Sequence, residues 1–287
     1  LVGSEMCIRD SRSANLHCGE RPGQGSEVNM TFPSLVLLPG LMCDAAVWEP
    51  LVPHLPAGTH PWVADYGAAR SLQAMAQMVL AQAPAERFAL AGHSMGGRVA
   101  FEVLRLAPKR VSHVALLDTG HLPRAAGDAG AQEAAKRHAL LEVARNQGVR
   151  AMAQVWVQGM VHPQRLQDAA LIESIVGMFA RKSADVFAAQ IEALLERPDA
   201  SGVLRSLAVP TLLQCGAQDS WSPPEQHAAM QALASQAVLD VIEDAGHMAP
   251  MERPEDVAAS LSRWLQREAQ PLSLIHISEP TRLGMIS

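Results

Sequence analysis

The sequence predicts an α/β protein: a mostly parallel sheet of about six strands, helices on both faces, and a helical insertion. Three observations predict it. Short, mostly apolar runs stand at Leu35–Leu38, Phe88–Ala91, Val111–Leu117, Val209–Gln214 and Val238–Ile242. Runs of this length without polar alternation read as strands buried on both faces. Segments of helical composition separate them, and strands alternating with helices argue for a parallel sheet. Between His121 and Leu207 the alternation stops.

The termini stand apart. Leu272–Arg282 translates one strand of a DNA string whose reverse complement, shifted in frame, translates to Leu1–Asp10. Both ends resemble a translated sequencing adaptor and are excluded from the fold, as a fusion scar would be. Residues 1–29 are therefore expected to be adaptor and disordered tail, with Met30 as the start, and 272–287 an adaptor-derived tail. Residues 30–120 and 208–271 are expected to form the core, and 121–207 a helical lid.

Leu35–Leu38 ends in Pro39-Gly40, a strand followed by a turn. Trp62–Ala64 is a weaker strand signal. Ser71 is suited to cap a helix over Ser71–Gln82. The next helix, Ser94–Ala107, is stopped by Pro108. Further helices are expected over Pro224–Ala234 and Pro254–Glu268, each with proline in its first turn. The insertion, rich in Ala, Gln, Glu, Arg and Met, reads as three or four helices. Breaks are expected near Gly148, His162-Pro163, Lys182-Ser183 and Arg197-Pro198.

The chain of 287 residues is 48% apolar and carries a formal charge of −6. With no basic patch, no nucleic-acid partner is expected. No apolar run is long enough to span a membrane. Of four cysteines, Cys7 and Cys18 lie in the N-terminal tail; Cys43 and Cys215 lack metal-like spacing. Reduced thiols and a cytoplasmic location are expected. No metal or organic cofactor is implied, and oligomeric state is not legible.

The sharpest motif is Ala91-Gly92-His93-Ser94-Met95-Gly96-Gly97. It is G-x-S-x-G directly after a strand and before a helix, the context in which a serine hydroxyl is held out on a strained turn. A serine needs a base. His247, in Glu243-Asp244-Ala245-Gly246-His247, follows the last strand and lies at the same sheet edge. Its imidazole can take the hydroxyl proton and return it to a leaving group. Asp219, after the strand 209–214, would orient that ring and stabilise its cation. Asp118, at the end of an earlier strand, is a rival for this place; Asp244 is too near His247 in sequence. An oxyanion would be bound by the N–H of Met95 and by one from Pro39-Gly40-Leu41-Met42, assigned to Leu41.

Four stretches, LLPGLMCDAAVW, AGHSMGGRVA, GAQDSWSPP and EDAGHMAP, resemble the α/β-hydrolase superfamily, specifically small esterase-like members with a helical lid. The likeness spans Leu35–Leu265, with nucleophile, acid and base in the superfamily's order. It implies the α/β-hydrolase fold, catalytic roles for Ser94, Asp219 and His247, and N–H donation from Leu41 and Met95. Pro39 departs from the histidine many members carry. The short passage Asp65–Ser71 departs from their longer glycine-rich loop, and the first strands of the full fold are lacking.

The expected activity is hydrolysis of a small or medium carboxylic ester through an acyl-enzyme on Ser94. Its partner is a small acyl substrate in a pocket walled by Trp48, Met152, Trp156 and Met160, with Met178 and Phe179 as further wall candidates. His121 reads as a solvated side chain near the mouth. Thioester hydrolysis or acyl transfer, and carbon–carbon bond hydrolysis, fit the same three residues. A ligand receptor on this fold would keep them but turn over slowly. Halide displacement is disfavoured, because it requires aspartate at position 94.

Overall fold

The computed structural model describes residues 33–268. The expectations for residues 1–29 and 272–287 lie outside the described residues. Six strands form one sheet: β1 (Leu35–Leu38), β2 (Pro61–Val63), β3 (Phe88–His93), β4 (Val111–Leu117), β5 (Thr211–Gly216) and β6 (Val238–Ile242). Their order is β2-β1-β3-β4-β5-β6, and every neighbouring pair is parallel.

Every residue of β1, β3 and β5 is buried. Successive residues of a strand point to opposite faces, so unbroken burial means that both faces of the sheet are covered. The edge strands β2 and β6 are only partly buried. β2 begins with Pro61, one residue earlier than expected. A proline donates no ladder bond and is tolerated at the first position of an edge strand. β5 starts two residues later than the apolar run suggests, because Pro210 precedes it, and it continues to Gly216.

Helix α1 (Leu72–Gln82) is capped by Ser71, whose Oγ accepts the N–H of Ala74 at 3.1 Å. Helix α2 (Met95–Leu106) packs on α1, β1, β3 and β4. From β4 the chain passes through α3 (Gly127–Gln147), α4 (Val149–Trp156), α5 (Ala169–Ala180), α6 (Ala184–Leu195) and a short α7 (Ser201–Arg205) before β5. The first break falls at Gly148, at φ +90°. Helix α8 (Pro224–Leu233) packs on β5 and β6. A one-turn α9 (Ala249–Glu252) leads into α10 (Pro254–Leu265), which ends three residues short of the expected Glu268 and packs on β4, β5 and β6. Among the described residues, no helix is long and apolar enough to cross a membrane.

Candidate active site

Among the described residues, four non-glycine residues have positive φ: Met42 (63°), Ser94 (54°), Asp118 (48°) and Asp244 (55°). They follow β1, β3, β4 and β6 respectively. Strain of this kind costs about 1–3 kcal/mol per residue and persists only where the surroundings enforce it. Among the described residues it falls on one rim, the carboxyl edge of the parallel strands, where open α/β sheets bind ligands.

At the β3–α2 turn the backbone is crowded from both sides. A Cβ on Gly92 would approach the Gly97 nitrogen to 2.7 Å, and one on Gly96 would lie 2.5 Å from the Leu38 carbonyl carbon. Only glycine fits at either place. Ser94 N–H donates to the Leu117 carbonyl at 2.8 Å, and the Thr119 hydroxyl donates to the Ser94 carbonyl at 2.7 Å. The strained serine is thus tied to β4 at both ends of its peptide unit.

Three side chains meet in line. Ser94 Oγ lies 2.8 Å from His247 Nε2, and His247 Nδ1 lies 2.8 Å from Asp219 Oδ2. Asp219 is buried, and its other oxygen accepts the N–H groups of Trp221 (2.9 Å) and Ser222 (3.0 Å). Burial alone would raise its pKa, but the His247 ring and these amides bring it down from 3.8 to about 2. Among the described residues, the N–H groups of Leu41 and Met95 find no acceptor. Both residues line the cavity that contains Ser94 and His247. Gly40 seats the first loop against the elbow: a Cβ there would lie 2.9 Å from His93 Nδ1 and 3.2 Å from Ser94 Cβ.

Asp118 is also fully buried, but its Oδ1 accepts the Gly216 N–H at 2.9 Å, and its Oδ2 makes no hydrogen bond among the described residues and lies 3.8 Å from His93 Nε2. Burial, then the charge of Asp219, push its pKa well above the ordinary value. Asp244 sits at the surface within 3.3 Å of Arg253.

The cavity measures about 520 Å³. Trp156 and Phe179 line it, but Trp48, Met152, Met160 and Met178 do not. Those four are almost completely buried. Trp48 meets the edge of the His93 ring, with centroids 6.3 Å apart. They belong to the core because the apolar faces of α4 and α5 pack inward, and Trp48 lies behind the nucleophile turn rather than in front of it. His121 is buried, not solvated, and its carbonyl accepts the Ala200 N–H. Among the described residues, Cys43 and Cys215 are free and buried, and burial followed by the charge of Asp44 pushes the Cys43 thiol up to about 12. Among the described residues, no group of three His, Cys, Asp or Glu is placed to hold a metal ion.

Several site residues escape sequence reasoning. Trp221 tilts against His247 with centroids 4.8 Å apart and stacks on Trp156 at 5.8 Å; its place two residues after Asp219 was the available signal. Glu252, buried under the base loop, accepts the N–H groups of Gly246 (2.9 Å) and Met248 (3.2 Å), on either side of His247, and that of His162 (2.7 Å). The His247 N–H itself donates to the Met160 carbonyl at 2.6 Å. Gln190, buried on α6, accepts the N–H of strained Met42 at 2.9 Å. His93 Nε2 donates to the His247 carbonyl at 2.8 Å, and burial lowers the pKa of this ring to about 3, so it stays neutral.

The chain is similar to known proteins in sequence and in fold. The chain is 28% identical over 261 residues to a pimeloyl-(acyl-carrier protein) methyl ester esterase of Photobacterium profundum, covering 87% of this chain and 98% of that one. A protein of the same name from Edwardsiella ictaluri is 30% identical over 242 residues, covering 80% and 92%. A malate-bound structure of a thermophilic esterase from Thermogutta terrifontis superposes with a TM-score of 0.72 at 27% identity, covering 82% of this chain and 90% of that one. The profile described as the alpha/beta hydrolase family matches residues 35–260, and this chain belongs to that family.

Proposed function

We propose that this protein is a serine hydrolase that cleaves a small or medium carboxylic ester. The observation that carries the reading is the unbroken line from Asp219 through His247 to Ser94, with both links at 2.8 Å. His247 Nε2 takes the proton from Ser94 Oγ as that oxygen bonds to the ester carbonyl carbon. The carbonyl π electrons move to oxygen, and the N–H groups of Leu41 and Met95 hold the oxyanion. As the tetrahedral species collapses, the carbon–oxygen bond to the leaving alcohol breaks and the Nε2 proton goes to that alcohol. Water then repeats the sequence on the acyl-serine, releasing the acid and restoring the hydroxyl. Asp219 keeps Nδ1 protonated throughout, so that Nε2 faces the serine as an acceptor.

The names of the relatives support ester cleavage. The apolar wall of Leu140, Trp156, Phe179, Leu194 and Trp221 supports an acyl chain as ligand. The helical insertion over 121–207 acts as the lid that supplies most of this wall. Two unpaired, buried cysteines support a cytoplasmic location.

The test is hydrolysis of p-nitrophenyl acetate and butyrate by wild type and Ser94→Ala. The variant should lose on the order of a millionfold in kcat, as triad nucleophiles do. Equal rates would overturn the reading.

A further inference from the structure

Arg98 lies four residues after Ser94, one turn along α2. Both side chains line the same cavity. Its Nη1 donates to the Leu122 carbonyl at 2.7 Å; its other N–H groups find no acceptor among the described residues. It lines the cavity together with Lys136, Arg137 and Arg197. The one carboxylate on that side, Glu133, is already engaged. Its Oε1 accepts from Arg137 (3.0 Å) and Arg197 (2.8 Å), and its Oε2 from Arg197 at 2.8 Å. Four cations therefore face one anion, in a chain whose formal charge is −6. Arg98 and Lys136 have no carboxylate partner among the described residues. The other carboxyl in the wall, Asp118, is held toward its neutral form by burial. Burial, and next the repulsion of Arg197, bring the pKa of Arg98 down to about 9, a cost that a bound anion would relieve.

The cavity presents these cations and the Ser94 hydroxyl to one ligand, with Leu140, Leu194 and Phe179 as apolar lining for methylenes. Resting on the ester hydrolase reading, we propose that Arg98 is the centre of an anion subsite that binds a free carboxylate on the acyl chain, making monoesters of dicarboxylic acids the preferred substrates. The guanidinium fork matches a carboxylate in shape as well as charge.

The test compares kcat/KM for monomethyl and dimethyl esters of succinate, glutarate, adipate and pimelate. At one or more chain lengths the monoester should be favoured by roughly 10- to 100-fold, the range of a charge-assisted hydrogen bond. Arg98→Gln should collapse the monoester-to-diester ratio toward unity, and Arg98→Lys should keep part of it. Should Arg98→Gln fail to fold, wild type alone decides: raising salt from about 0.05 to 0.5 M should erode the monoester preference. Methyl esters carrying a terminal phosphonate distinguish the source of the anion; a phosphonate preferred at every length would overturn the carboxylate assignment. No monoester preference at any length, or a preference untouched by Arg98→Gln and by salt, would overturn the subsite. Serine-dependent hydrolysis of the dimethyl esters would leave the parent reading standing in that case, so the two failures are separable.

Discussion

Two buried aspartates, Asp118 and Asp219, follow strands on the rim that carries His247, and replacing each by asparagine should have different consequences. In Asp219→Asn the amides of Trp221 and Ser222 still require an acceptor, so the carboxamide oxygen must take the place of Oδ1. That turns the NH₂ toward His247 Nδ1, where a carboxylate oxygen now accepts at 2.8 Å. A donor there forces Nδ1 to become the acceptor and puts the ring proton on Nε2, which points at Ser94 Oγ. The base is then occupied, and kcat should fall about 10⁴-fold with little change in KM, the size seen when this tautomer is inverted in serine proteases. At about 1.4 kcal/mol per decade, that is roughly 5 kcal/mol of transition-state stabilisation. In Asp118→Asn the carboxamide oxygen can keep the Gly216 N–H, and the group replaced is already held toward neutrality. Its kcat should stay within roughly threefold of wild type, since the hydrogen bond that the carboxyl makes is kept.

The same pair separates in acid. Holding the Asp219 carboxyl from 3.8 down to about 2 is worth about 2 kcal/mol of folding stability. A depressed carboxyl contributes above its unfolded pKa and loses the contribution as pH falls through its folded one. Wild type should therefore lose this increment between about pH 4 and pH 2, and Asp219→Asn should lack that step in its melting temperature. Steady-state kinetics on p-nitrophenyl butyrate and thermal melts across pH are the assays. A larger kcat loss for Asp118→Asn than for Asp219→Asn would refute the assignment of the acid.

Two further perturbations probe the supports of the site. Glu252→Gln keeps the shape but sets an NH₂ against the His162 N–H; it should cost about 1–3 kcal/mol and lower kcat tenfold or more through the His247 loop, with KM unchanged. An unaltered kcat would show that Glu252 does not position the base. Gly96→Ala drives a methyl into the Leu38 carbonyl; it should cost about 3 kcal/mol, seen as a fall in Tm of roughly 6–12 °C, and an unshifted Tm would mean that the turn is less crowded than described.

What could be read in the sequence, and what could not, follows from the range of the interactions. β1, β3, β4 and the elbow are local patterns: apolar runs, then Gly92 and Gly96 around a serine. Their geometry is dictated by neighbours in the chain, so the letters suffice. The choice between Asp118 and Asp219 was open because both end strands on one rim. It turns on loop geometry, in which the Trp221 and Ser222 amides hold the Asp219 carboxyl toward His247. Met152 on α4 and Met178 on α5 show why an apolar helix face does not locate a pocket: one facing a cavity and one facing the core have the same spacing. Gln190 and Glu252 draw no notice in the sequence, since polar side chains in helices usually lie at the surface. Their burial depends on partners 148 and 90 positions away. The cations at 98, 137 and 197 are likewise scattered in sequence and meet only in the cavity.

These distant bonds also decide which parts of the insertion belong to the chemical machinery. The segment between α4 and α5 receives the His247 N–H at Met160 and gives the His162 N–H to Glu252. Helix α6 reaches the other side of the site, where Gln190 holds the strained Met42 next to Leu41. The base loop and the oxyanion loop are thus each hydrogen-bonded to the insertion through buried groups, and moving those segments away would leave buried polar atoms unpaired at a cost of about 1–3 kcal/mol each. Helix α3 is anchored differently. Over 21 residues it buries only Gly130, Leu141 and Ala144, and Glu133 joins it to Arg197 through part-buried ion pairs. Local opening is least costly where few apolar contacts are lost. Within the insertion, α3, the wall that carries Lys136 and Arg137, thus buries three residues where the shorter α6 buries six.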